Sequence, residues 1–90
     1  MVKIVDIESA DVPGTYFELS VYRSATGRAV LACGLGAAMK HGVVVDNLII
    51  RFGTPVVEAY GLAREFCDKH GLHIWLRDQH NLFPPKLRTL

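Results

Sequence analysis

From Thr15 to Arg23 the chain alternates without interruption: Phe17, Leu19 and Val21 fall on one side, and Tyr16, Glu18, Ser20 and Tyr22 on the other. Successive side chains of a strand point to opposite faces, so this segment requires a sheet with one face in a core and a more polar face opposite. A second layer must then cover Phe17, Leu19 and Val21.

That layer is legible further along. Gly53-Thr54-Pro55 opens the strongest helix pattern of the chain, with Thr54 expected as the cap and Pro55 at the first helical position. Val56, Ala59, Tyr60, Ala63, Phe66, Cys67 and His70 recur at helical spacing on one broad face, while Glu65 and Lys69 form a favourable i, i+4 pair away from it. Gly71 supplies the stop. His73 to Arg77 then alternates as a strand, with Ile74 and Leu76 on one face and His73, Trp75 and Arg77 on the other.

The other segments are less constrained. Val2 to Glu8 reads as a strand, and Asp11-Val12-Pro13-Gly14 as a turn, which predicts an antiparallel hairpin between residues 2–8 and 15–23. Residues 24–42 admit two readings. Ser24-Ala25-Thr26-Gly27 suits a hairpin turn before a strand at 28–35. It equally suits the start of a helix, since Leu31, Leu35, Ala38 and Met39 fall at helical spacing and Lys40-His41-Gly42 resembles a helix end. Gly34 and Gly36 count against a helix, each costing about 1 kcal/mol in its interior. The helix over 27–41 is favoured because Lys40-His41-Gly42 recurs 29 residues later as Lys69-His70-Gly71, again before an apolar run. Val43 to Phe52 is nearly continuous and β-branched, as in a central strand covered on both faces, with Asp46-Asn47 marking a bulge or a tight turn. Leu82-Phe83-Pro84-Pro85 is expected to be extended.

The predicted architecture is therefore α/β, in the order ββαβαβ, with a mixed four-stranded sheet and two helices. Residues 1–81 form the domain and 82–90 an extended C-terminal tail, of which Lys86 to Leu90 is expected to be ordered only by a partner. If 28–35 is a strand, the alternative is an α+β antiparallel sheet with one main helix at about 55–70.

Half of the 90 residues are apolar. A chain this short buries only some 60–65 % of its unfolded surface, so association is expected to cover the remainder, as a homodimer or larger assembly. A net charge of +1 argues against nucleic-acid binding by bulk electrostatics. Charges at Lys3 and Asp6 leave no signal-like apolar stretch, and no uncharged helical candidate is long enough for a bilayer; a cytoplasmic location without membrane association is expected. Two cysteines, Cys33 and Cys67, suggest no disulfide framework.

Four constellations bear on chemistry. Cys67, His70 and His73, with His80 nearby, have residue types that suit zinc, yet the helix ends at His70 and Cys67 lies on the apolar face, so no metal and no cofactor is expected. Two turns predicted to lead from strand to helix, Arg23-Ser24-Ala25-Thr26-Gly27-Arg28 and Arg51-Phe52-Gly53-Thr54, carry hydroxyls, glycines and arginines. Arg23, Ser24, Thr26, Gly27, Arg28, Arg51, Gly53 and Thr54 are thus the candidates for a small anionic ligand such as phosphate at helix N-termini. That site disappears if 28–35 is extended. No serine, cysteine or histidine falls into a catalytic pattern, and no catalytic residue is assigned. Tyr16, Tyr22, Trp75, Leu82, Phe83 and Leu87 have no obvious place in a core and are the candidates for an interface. The function expected is a homo-oligomeric binding domain without catalysis of its own, with a phosphate- or small-ligand-binding domain, conceivably enzymatic, as the alternative.

Overall fold

A computed structural model describes residues 2–6 and 16–89. The strands are β1 (Ile4–Asp6), β2 (Tyr16–Arg23), β3 (Val30–Lys40), β4 (Val43–Pro55) and β5 (His73–Arg77), with one helix, α1 (Val56–His70), and a 3₁₀ helix at Pro85–Thr89. The strands form one mixed sheet in the order β1-β5-β2-β3-β4. β2, β3 and β4 make an antiparallel meander, whereas β5 runs parallel to both β1 and β2. The class is α+β, with five strands and one main helix in place of the predicted four and two. The single helix of the alternative is present, but its sheet is mixed rather than antiparallel.

The alternation of β2 does what it requires. Phe17 and Leu19 are fully buried and Val21 nearly so, joined by Ile74 and Leu76 of β5. The cover is α1, whose Val56, Ala59, Tyr60, Ala63, Phe66 and Cys67 are buried. Phe66 meets Phe17 with ring centroids 5.8 Å apart. The C-terminus of α1 closes as predicted: Gly71 adopts φ 69° and the Leu72 N–H donates to the Cys67 carbonyl at 2.9 Å. At the other end Pro55, not Thr54, occupies the cap position, and the Thr54 hydroxyl donates to the Arg51 carbonyl at 2.7 Å instead.

The predicted helix over 27–41 is the strand β3. Gly34 and Gly36, which would weaken a helix, lie opposite Phe17: a Cβ on Gly34 would stand 2.6 Å from Phe17 Cε1, and one on Gly36 would collide with Phe17 Cδ2. The repeated Lys-His-Gly is a coincidence of turn chemistry. His41 (φ 53°) and Gly42 (φ 76°) form the two-residue turn joining β3 to β4, with both residues at positive φ as in a type I′ turn, whereas the second copy ends a helix.

Residues 43–52 are extended, but in an edge strand and not a central one. Register shifts interrupt the β3–β4 ladder between Ala38 and Met39, where Val45 is the extra residue of β4 beside Asp46, and between Ala32 and Gly34, where Cys33 faces Arg51, Phe52 and Gly53. The predicted hairpin between the first two strands does not form. β5 lies between them, pairing Ile4 with Ile74 on one side and Phe17 with Ile74 on the other. The turn predicted at Asp11–Gly14 lies outside the described residues.

Residues 82–89, expected to trail as an extended tail, pack on the core. Both Asp78 carboxylate oxygens accept backbone N–H groups, of Leu82 and of Phe83, at 2.8 Å. Phe83 and Leu87 are buried, and Phe83 meets Tyr60 edge-on with centroids 5.4 Å apart. Arg88 lies over the Phe83 ring and reaches Asp6 of β1 at 3.0 Å. No helix among the described residues is long and apolar enough to cross a membrane.

Candidate interaction surface

With α1 and the 3₁₀ helix on one side of the sheet, the opposite side of the β3–β4 half has no described element over it. The ladder registers define rows on this open face. Trp75, Glu18, Leu35 and Ile49 pair successively across β5, β2, β3 and β4, and the next row begins Arg77, Ser20, Cys33. The β5–β2 half is polar, and Arg77 holds Glu18 at 3.4 Å. The β3–β4 half is apolar and exposed: Leu35 63 %, Met39 55 %, Val44 53 %, Ile49 66 % and Phe52 81 %. Scattered exposed apolar side chains are ordinary on a folded protein, but a contiguous group marks a contact site.

Within this half lies a groove of about 720 Å³, lined by Glu18, Ser20, Cys33, Leu35, Ile49, Arg51 and Phe52 among others. The β4 bulge creates it, because three residues loop past Cys33 and part the two strands. Gly53 at φ 89° permits the loop, and its N–H donates to the Tyr22 hydroxyl. Phe52 stands beside the groove, touched by the Tyr22 ring at 5.7 Å between centroids. Among the described residues no carboxylate pairs with the Arg51 guanidinium.

The residues predicted to bind an anion are deployed otherwise. The turn at 23–28 joins two strands, so no helix N-terminus stands behind it. Its polar groups satisfy one another: Ser24 Oγ lies 3.1 Å from Thr26 Oγ1 and accepts the Ala29 N–H at 3.1 Å, Arg23 donates to the Gly27 carbonyl at 3.2 Å, and Gly27 takes the positive φ of the turn. Arg28 is exposed. Register pairing of Leu31 with Pro55 brings Gly53 and Thr54 to the same end of the sheet, where their polar groups are engaged as described.

Of the residues predicted for an interface, Tyr16, Tyr22 and Trp75 do lie on the open face, half-buried. Tyr16 packs against His73 at 5.9 Å, and the buried Trp75 indole N–H has no hydrogen-bond partner among the described residues. Phe83 and Leu87 are buried in the core of the single copy, and the partly buried Leu82 packs against it. Of the apolar residues exposed on this face, Ile49 and Phe52 went unselected because a continuous apolar run reads as burial on both faces, and Leu35 because its spacing placed it on the apolar face of a helix.

Cys67, His70, His73 and His80 are not brought together, and no group of three or more metal-ligating side chains converges among the described residues. Cys67 is buried in the core, and that burial pushes its thiol up to about 12, leaving it neutral. His70 Nε2 lies 2.8 Å from Asp46 Oδ2, tying the helix end to β4, with Lys69 at 4.0 Å from the same oxygen. His73 Nδ1 accepts the Lys3 N–H at 3.0 Å, and His80 sits in an exposed turn. Cys33, in the groove, also has its thiol raised, first by burial and then by the charge of Glu18.

No protein family, characterised protein or solved structure matches this chain significantly.

Proposed function

We propose that this chain is a small homo-oligomeric interaction domain that works by binding through the β3–β4 half of its open sheet face, without catalysis of its own. The observation that carries this reading is the group of exposed apolar side chains on that face, the cross-strand pairs Leu35–Ile49 and Met39–Val44 together with Phe52. The net charge of +1 supports it, since two copies approach with almost no overall repulsion. The raised thiols leave Cys33 and Cys67 poor nucleophiles. Sedimentation equilibrium over a range of micromolar concentrations tests it. A mass at or above twice 10.0 kDa is expected; a monomer throughout the range would sink the reading.

A further inference from the structure

The open face carries both a projection and a hollow, and we infer that its occupant is a second copy of this chain. The two copies dock about a two-fold axis, so that Phe52 of each enters the groove of the other and Arg51 of each meets the partner's Glu18. The inference rests on the self-association reading above and supplies its partner geometry.

Three observations point to this pairing. The first is shape. Phe52 is the most exposed of the large apolar side chains and forms one rim of the groove that Leu35 and Ile49 also line. A knob and a hole on one surface are what a two-fold contact needs, because each copy must offer both halves of every interaction. A buried aromatic anchor in a pocket is also the commonest form of an energetic hot spot.

The second is charge. Arg51 has no carboxylate of its own among the described residues, and Glu18, already approached by the half-exposed Arg77 at 3.4 Å but still open to water, lies across the groove, two strands away through Leu35 and Ile49. At strand spacing their backbones stand about 10 Å apart on opposite sides of the groove, an arrangement suited to two equivalent pairs flanking the grooves of a dimer.

The third is area. At their fractional exposures, Leu35, Met39, Val44, Ile49 and Phe52 together leave on the order of 600 Å² of residue surface open. That is the top of the range for the largest patch on a monomer and close to the ~800 Å² each partner gives to a standard interface. The β4 edge is a poorer docking surface than the face. Its ladder is broken by two bulges, and the Asp46 carboxylate takes the Asn47 N–H at 2.9 Å, devices that spoil an edge for pairing.

The test is a charge exchange followed by sedimentation. Arg51→Glu alone places two acidic pairs in the interface, and Glu18→Arg alone places two basic pairs, so each variant is expected to raise the dimer dissociation constant at least about tenfold. Mixed one to one, the two variants form two opposite-charge pairs across the two-fold, so a heterodimer with near wild-type affinity is expected. Phe52→Ser, at an exposed site, is expected to keep the circular dichroism and melting of the monomer while weakening the dimer. A wild-type monomer would overturn both this inference and the reading it rests on. A wild-type dimer that is indifferent to the single charge reversals, or whose variants stay apart when mixed, would overturn the two-fold pairing and leave self-association standing.

Discussion

At the scale of single residues, two absent side chains matter as much as any that are present. Gly34 and Gly36 read in the sequence as defects in a helix; in the sheet they are the socket for Phe17, which has no exposed surface at all. A pattern of spacings does not reveal which neighbour will press on a glycine, so this use of the pair was not legible. Gly36→Ala is therefore expected to destabilise the fold by about 1–3 kcal/mol through overpacking, measured by urea denaturation. Phe17→Leu in the same chain should recover part of that loss, an interaction that simple chain-entropy effects of alanine would not produce. A second residue-level prediction concerns Asp46. The hydrogen bond from His70 holds its carboxyl below the ordinary 3.8, aided by the Asn47 N–H and by the charges of His70 and Lys69, against a smaller opposing effect of burial. Because the folded state favours the ionised form, the contribution is present above pH 3.8 and disappears as pH falls through the lower, folded value. Asp46→Asn should accordingly melt below the wild type near neutrality, and the gap should close in acid below that range. A gap that persists unchanged at low pH would mean that the carboxylate charge contributes nothing.

At the scale of elements, the segments bounded by their own chemistry were legible and those defined by distant partners were not. α1 carries its stop in Gly71 and its buried face in its periodicity, and β2 and β5 carry their alternation, so all three emerge close to where they were expected. β1 offers no clue that residues 73–77 will separate it from β2, because parallel pairing across some seventy residues leaves no local mark. β3 and β4 were misread for a related reason. Lys-His-Gly satisfies a helix end and a hairpin turn equally well, since both want a residue at positive φ, and only the partner strand decides between them. The hairpin turn makes a direct prediction. Gly42 sits at φ 76° with open space around it, so Gly42→Ala should cost about 1 kcal/mol by conformation alone. In a domain of this size that corresponds to a fall of roughly 4–8 °C in Tm. His41→Asn should move Tm the other way, because Asn tolerates φ 53° better than His and Asn-Gly is the preferred pair in such a turn. Equal melting of all three proteins would show that the turn does not limit the stability of the β3–β4 hairpin.

At the scale of the whole molecule, the question is where half a chain of apolar residues can go. The core accepts those on the helix side of the sheet together with Phe83 and Leu87, which the sequence alone suggested for an interface. Most of the large apolar side chains left exposed lie on β3 and β4, with Val57 and Leu62 on the outer side of α1. Composition thus announced a surplus, and only the fold decides which residues form it. This division predicts two kinds of mutant that differ in how stability depends on concentration. If copies associate through the open face, association draws the folded state forward by mass action, and Tm rises with protein concentration. Leu35→Glu places a charge in the middle of that face, at a site open to water in the single copy. It should abolish the concentration dependence while leaving the dilute-limit stability within about 0.5 kcal/mol of wild type. Phe83→Ala removes a ring packed on Tyr60 within each copy. It should lower stability by about 3–5 kcal/mol at every concentration and leave the slope of Tm against concentration intact. Scanning calorimetry of the three proteins over a concentration series separates the two effects. Were Leu35→Glu to lower Tm by the same amount at all dilutions, the open face would be part of the fold of one copy and not the ground on which two copies meet.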